Sequence, residues 1–133
     1  MERVKSEYRH ILGRWETGEI FFHLKYFLNK YARKGWVNFN RMKESVCAVL
    51  ALSRVGLPIA TPTVNYLIGY GENEAYQRML YLSSYHIIEP TEAVRTGSGG
   101  HARCFRLTSK FIETVYSPLK EEETGNTLKT KGK

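Results

Sequence analysis

Three apolar residues, Ala75, Met79 and Leu82, recur at the i, i+4, i+7 spacing of one helical face, and the polar positions between them predict a helix over residues 72–85. Upstream, Val46, Val49 and Leu50 mark a helix over 40–55, with Asn40 as its expected cap and Gly56 as its stop. Leu57-Pro58-Ile59 reads as a short extended link, because a residue before proline is pushed out of the helical region. Thr61 then offers a hydroxyl cap and Pro62 the favoured first helical position for a short helix with Val64, Leu67 and Ile68 on its buried face. Gly69-Tyr70-Gly71 separates that helix from the next as a tight turn. Beyond residue 86 the period changes to two. Phe105 and Leu107 alternate with Cys104 and Arg106, so 87–107 reads as a β-hairpin with a glycine-rich tip at 97–100. Thr108 caps a last helix carrying Phe111, Ile112, Val115 and Tyr116.

The N-terminal third has a different texture. Gly18–Lys34 predicts a helix with Ile20, Leu24, Phe27, Leu28 and Tyr31 on one face, and Phe21, Phe22 and Tyr26 outside it. A helix so widely apolar has two surfaces to cover. Two arrangements satisfy it. In one, Ile20, Phe21, Phe22, Leu24, Phe27, Leu28 and Tyr31 pair two subunits. In the other, a shorter helix around Glu7–Trp15, with Trp36 and Phe39, covers the face within the chain. The expected organisation is an N-terminal helical extension over 1–38, a domain over 39–119, and a disordered tail over 120–133, whose residues are too polar to offset the entropy of ordering.

Charge narrows the partner. The 133 residues carry 20 Lys and Arg against 13 acids, all of them glutamate, for a net charge of +7. Residues 1–56 hold eleven of the basic side chains against five glutamates, so the positive surface is expected to be N-terminal. Such a balance favours a polyanion, nucleic acid first. The absence of aspartate excludes aspartic catalytic pairs and Asp-centred Mg²⁺ or EF-hand sites. Cys47 and Cys104 form no C-x-x-C, and His101 with Cys104 is half of a metal site at most, so neither a metal nor a cofactor is expected. Cys47 reads as a small core residue, and His10 and His23 as surface or interface residues. No glycine-flanked nucleophile, P-loop or dinucleotide fingerprint occurs, and no enzyme activity is expected. With no apolar run of membrane-spanning length and no signal-peptide pattern, a cytoplasmic, nucleoid-associated protein is expected.

The order helix, helix, turn, helix, hairpin, helix, together with Ala75, Met79, Leu82, Ile87, Ile88, the glycine tip and the exit Phe105-Arg106-Leu107-Thr108, resembles the winged helix-turn-helix family of prokaryotic and archaeal transcription regulators. His86 stands where many relatives place glycine. The resemblance covers roughly 40–116. It implies a mainly α fold with a small β-hairpin wing, the helix over 72–85 as recognition helix, and sequence-specific binding of double-stranded DNA by a homodimeric regulator. A replication or partition protein of the same fold, or a winged helix used for protein contact, are the other expectations. No pocket for a small-molecule effector is legible.

On the recognition helix, Asn73, Gln77, Leu80, Tyr81 and Ser84 lie opposite the apolar stripe. Asn and Gln can pair with adenine edges, Tyr76 and Tyr81 can meet phosphate or a thymine methyl, and Arg78 on the flank suits phosphate. In the wing, Arg95, Ser98, His101 and Arg103 surround a tip that permits close approach to a minor groove or backbone. Thr61, Thr63 and Asn65 open the preceding helix, where backbone N–H groups and the helix dipole favour a phosphate.

Overall fold

Buried apolar residues dictate how the helices stack. A computed structural model of the chain describes residues 2–32, 37–91, 94–95 and 101–123, of which 94–95 and 101–102 are described by backbone alone. Helix α1 (Glu2–Glu16) buries Val4, Tyr8 and Ile11 against α3 (Phe39–Val55), the central helix, where an unbroken run from Ser45 to Leu52 is excluded from solvent. The two run antiparallel, since Glu16 pairs with Lys43 at one end and Glu7 with Arg54 at the other, the latter at 3.2 Å. Between them in sequence, α2 (Glu19–Phe27) continues into a π-helical turn over Leu28–Ala32.

The expected 1–38 extension therefore shares one core with the rest of the chain. Ile20, Leu24, Phe27 and Leu28 are buried within it, so the reading of these four as a subunit interface is corrected. What covers them is chiefly the last helix, Ser109–Phe111 followed by a π-helical turn over Ile112–Tyr116 and helix over 117–123. Phe27 meets Phe111 edge-to-face at 5.2 Å between ring centres, a favoured aromatic geometry. Phe39 covers part of Phe21 at 4.8 Å, whereas Trp36 lies outside the described residues. Phe22 and Tyr26 stay exposed, at 73% and 54%.

The boundary expected at residue 120 is also corrected. Helix persists to 123, where Glu122 and Glu123 meet arginine and histidine side chains from three other helices. Glu123 binds Arg54 at 2.6 Å, His10 at 2.6 Å and Arg14 at 3.4 Å; Glu122 binds His23 at 2.7 Å and Arg14 at 3.5 Å. Arg14 is buried and also donates to the Leu119 carbonyl at 3.2 Å and to Glu19. His10 and His23 thus hold the side-chain carboxylates of Glu123 and Glu122. The rest of the expected tail, 124–133, lies outside the described residues.

After α3 come a short strand β1 (Ile59–Ala60), α4 (Thr61–Ile68), α5 (Glu72–Ser84), β2 (Ile88–Pro90), β3 (Val94–Arg95), β4 (His101–Ala102) and β5 (Cys104–Leu107). β2 pairs antiparallel with β5 and β3 with β4, as the hairpin reading requires. β1 adds to the other side of β5, with Ile59 opposite Phe105, making a three-stranded antiparallel sheet in the order β1-β5-β2. Proline-bounded Ile59 was legible only as a link, since a two-residue strand has no period to read.

Two caps fall elsewhere than expected. Asn38, not Asn40, caps α3, its Oδ1 accepting from the Arg41 N–H at 3.1 Å. Thr61 is the first residue of α4 rather than its cap; Thr63 accepts from the Ala60 N–H at 3.1 Å and donates to the Pro58 carbonyl at 2.7 Å. Gly56 ends α3 in the left-handed conformation, and Thr108 accepts from the Phe111 N–H, as expected.

Candidate nucleic-acid interface

α5 is fixed from behind and offers its front. Ala75, Met79 and Leu82 are buried, and the helix packs against α3, α4 and β2. The turn that aims it is unusual in backbone: Gly69, Tyr70 and Gly71 all have positive φ, at 77°, 68° and 91°. Tyrosine disfavours that region, so the turn is held from outside itself. Asn65 Oδ1 accepts from the Gly71 N–H at 3.0 Å. The Arg78 guanidinium lies 4.7 Å over the Tyr70 ring and binds Glu44 at 3.1 Å and Glu74 at 2.9 Å. The Tyr70 hydroxyl lies 3.4 Å from Glu44.

Three of the expected DNA-binding residues have partners within the fold. Within the chain two carboxylates already pair with Arg78, and its planar fork ties α3 to α5. Asn65 closes the turn and Thr63 caps the helix, while Thr61 is half-exposed beside them. At the far end of α5, His86 takes φ 61° and Ile87 N–H returns to the Leu82 carbonyl at 3.1 Å, so the turn into β2 stays tight without the glycine of the resemblance.

With the stripe inward, the roughly 100° step per residue turns Asn73, Gln77, Leu80 and Ser84 to the front, and all four are exposed. None is charged. On one flank Arg103, next to β5, donates to the Tyr76 hydroxyl at 2.7 Å with its guanidinium 5.5 Å from the ring centre. On the other flank Arg41, in the first turn of α3, stacks 4.7 Å over Tyr81, whose ring meets Tyr85 edge-on at 5.1 Å. The hydrogen bond with Tyr81, then burial, raises the Tyr85 phenol above its ordinary value. The front of α5 is therefore a neutral hydrogen-bonding strip between two arginine–tyrosine pairs. Cation and ring hold each other by the ring quadrupole, which pre-positions both guanidiniums at modest entropic cost.

Sequence reasoning placed Asn73, Gln77, Tyr76, Tyr81 and Arg103 on or beside this surface, and the fold brings them together. It missed Arg41, which carries no local signal because its partner Tyr81 sits on another helix. Arg95 and His101 pair through their backbones across the hairpin; their side chains, and Ser98, lie outside the described residues. Part of the positive charge counted in residues 1–56 is neutralised inside the fold, since Arg14, Arg54 and Lys43 bind glutamates. Arg3, Arg9 and Arg41 are exposed. Among the described residues no three His, Cys or Glu side chains gather as metal ligands, and no helix is long and apolar enough to cross a membrane. Both cysteines are buried, and burial pushes the Cys47 thiol up to about 12, far from a reactive thiolate.

Compared with known proteins, the chain matches no protein-family model, no curated protein and no solved structure.

Proposed function

We propose that this protein is a winged helix-turn-helix protein that binds double-stranded DNA with sequence preference, α5 entering the major groove, and that it serves as a transcription regulator. One observation carries the reading: an uncharged strip of Asn73, Gln77, Leu80 and Ser84 flanked on both sides by arginine–tyrosine pairs. A major groove about 12 Å wide, walled by two phosphate rows, asks for neutral hydrogen-bonding groups at the centre and cations at the edges. The element order α3-β1-α4-α5-β2-β3-β4-β5 followed by a helix, with the three-stranded antiparallel sheet β1-β5-β2, supports the same reading, because a helix-turn-helix followed by a β-hairpin is compatible with a winged helix whose second helix faces DNA. The hairpin of β3 and β4 is then the wing.

Fluorescence anisotropy with genomic-fragment and random duplexes across a salt series tests it. Wild type binds some fragments far more tightly than random duplex. Asn73→Ala/Gln77→Ala removes that preference. Arg41→Ala/Arg103→Ala weakens binding to every duplex and lowers the salt slope by about one for each phosphate that is no longer neutralised. If wild type binds no duplex at low salt, the reading fails and α5 is a protein-contact surface.

A further inference from the structure

We infer that the target duplex presents A·T pairs to the front of α5, with Asn73 and Gln77 on adenine edges and Leu80 on the C5-methyl of a thymine; the inference rests on the DNA-binding reading and adds which bases are read. Leu80 is a large apolar side chain left 40% exposed in the middle of a polar strip. A single exposed leucine is ordinary on a surface, so its neighbours are what distinguish it. Asn73 and Gln77 share its face, and at about 1.5 Å rise per residue the three span about 10.5 Å of helix. That is the length of about three base-pair steps at roughly 3.4 Å each. The two amides are also uncommitted. Among the described residues, neither side chain hydrogen-bonds another residue of the chain. By contrast, Asn65 Oδ1 accepts from the Gly71 N–H at 3.0 Å, and the Ser84 hydroxyl donates to the Tyr81 carbonyl at 2.6 Å.

Base chemistry selects the partner of such a strip. In the major groove adenine sets an N6–H donor beside the N7 acceptor, the complement of a carboxamide. Guanine offers two acceptors, O6 and N7, and is best met by a cation with two donors; cytosine offers its N4–H donor, which a carboxylate accepts. The front of α5 holds no charged side chain. Glu74 and Arg78 lie on the flank and pair with each other at 2.9 Å, while Arg103 and Arg41 sit over Tyr76 and Tyr81 at the two edges. A carboxamide facing guanine leaves its own oxygen opposite an acceptor, and that unpaired polar group is what rejects the wrong base. Thymine, across from adenine, adds the methyl group that an apolar side chain covers.

Selection from a random-core duplex library by the full chain, followed by fluorescence anisotropy on the selected site, tests the inference. The selected core carries about three adjacent A·T pairs. Replacing the contacted thymine by deoxyuridine, which removes the methyl group alone, weakens wild type about fourfold, the worth of one buried methyl, whereas Leu80→Ala binds both duplexes equally. Replacing an adenine by 7-deazaadenine, which removes the N7 acceptor, weakens wild type about tenfold, and Asn73→Ala or Gln77→Ala each abolishes that penalty at its own adenine. Circular-dichroism melts of the three variants stay near wild type, because all three side chains face solvent. A selected core of G·C pairs overturns the inference and leaves DNA binding in place. So does a library in which no core is enriched although every duplex binds with salt dependence, or a deoxyuridine penalty that persists in Leu80→Ala. Wild type that binds no duplex at low salt overturns the DNA-binding reading itself, and this inference with it.

Discussion

Replacing Glu123 by Gln keeps the shape of the side chain and deletes the charge on which Arg54, His10 and Arg14 converge. Arg14 is buried and Arg54 is mostly so, and both would then lack their shared counter-ion. Removing one partner of a fully buried pair costs about 3–5 kcal/mol, and of an exposed pair about 0–1. Glu123 is 30% exposed, which sets the expectation between these limits, at about 2 kcal/mol. For a chain of this size that is about 6–8 °C in Tm. Glu122 and the Leu119 carbonyl still hold Arg14, so the last helix loosens rather than unfolds. The pH dependence has a definite sign. Burial raises the Glu123 carboxyl, but hydrogen bonds from Arg54 and His10 and the neighbouring cations outweigh it, leaving the group below its ordinary 4.5. A carboxyl depressed in the folded state contributes stability above its unfolded value and loses it as pH falls through the folded one. Urea unfolding of wild type and Glu123→Gln should therefore differ at pH 7 and converge well below pH 4.5. Equal stability at pH 7 would refute the assignment of the last helix to this carboxylate, and a gap that persists in acid would refute the electrostatic cause.

The remaining expectations concern the core and the turn. His86→Gly should stabilise the protein by about 1 kcal/mol, since it relieves a φ of 61° that a side chain disfavours, read as an upward shift in urea midpoint; a drop in stability would show that the imidazole has a contact that outweighs the strain. Phe111→Ala should cost about 3–5 kcal/mol in the same assay, because the ring is fully excluded from solvent and packs on Phe27. Cys47 should resist a disulfide-exchange reagent at pH 8 in the native state and react on unfolding in urea, as a thiol pushed up to about 12 is protonated there; fast native labelling at Cys47, followed by peptide mapping, would contradict its burial.

Periodicity determined much of what lies between residues 39 and 119. Ala75, Met79 and Leu82 face inward because a 3.6-residue helix leaves them no alternative once the core forms, and the period of two puts Phe105 and Leu107 on the buried face with Arg106 outward, although Cys104, expected to share the Arg106 face, is buried as well. Gly56 and Thr108 were legible because their roles depend on their own backbone and nearest neighbours. The front of α5 followed from the same wheel, so the helical period alone places Asn73 and Gln77.

Tertiary structure decided whatever depends on a partner distant in sequence. The helical wheel of α2 could not say whether Ile20, Leu24, Phe27 and Leu28 face a second subunit or the chain's own last helix, since apolar contact is non-directional and either surface satisfies it. Polar composition made 120–123 look disordered, yet Glu122 and Glu123 find Arg14, Arg54, His10 and His23 once α1, α2 and α3 bring those side chains to one place. The pairing of Arg78 with Glu44 and Tyr70 had no local signal, and Arg41 went unnoticed until α3 set it over Tyr81. Local sequence carries a residue's conformational preference and its face; charge pairing acts through space, and only the closed fold defines which charges are neighbours.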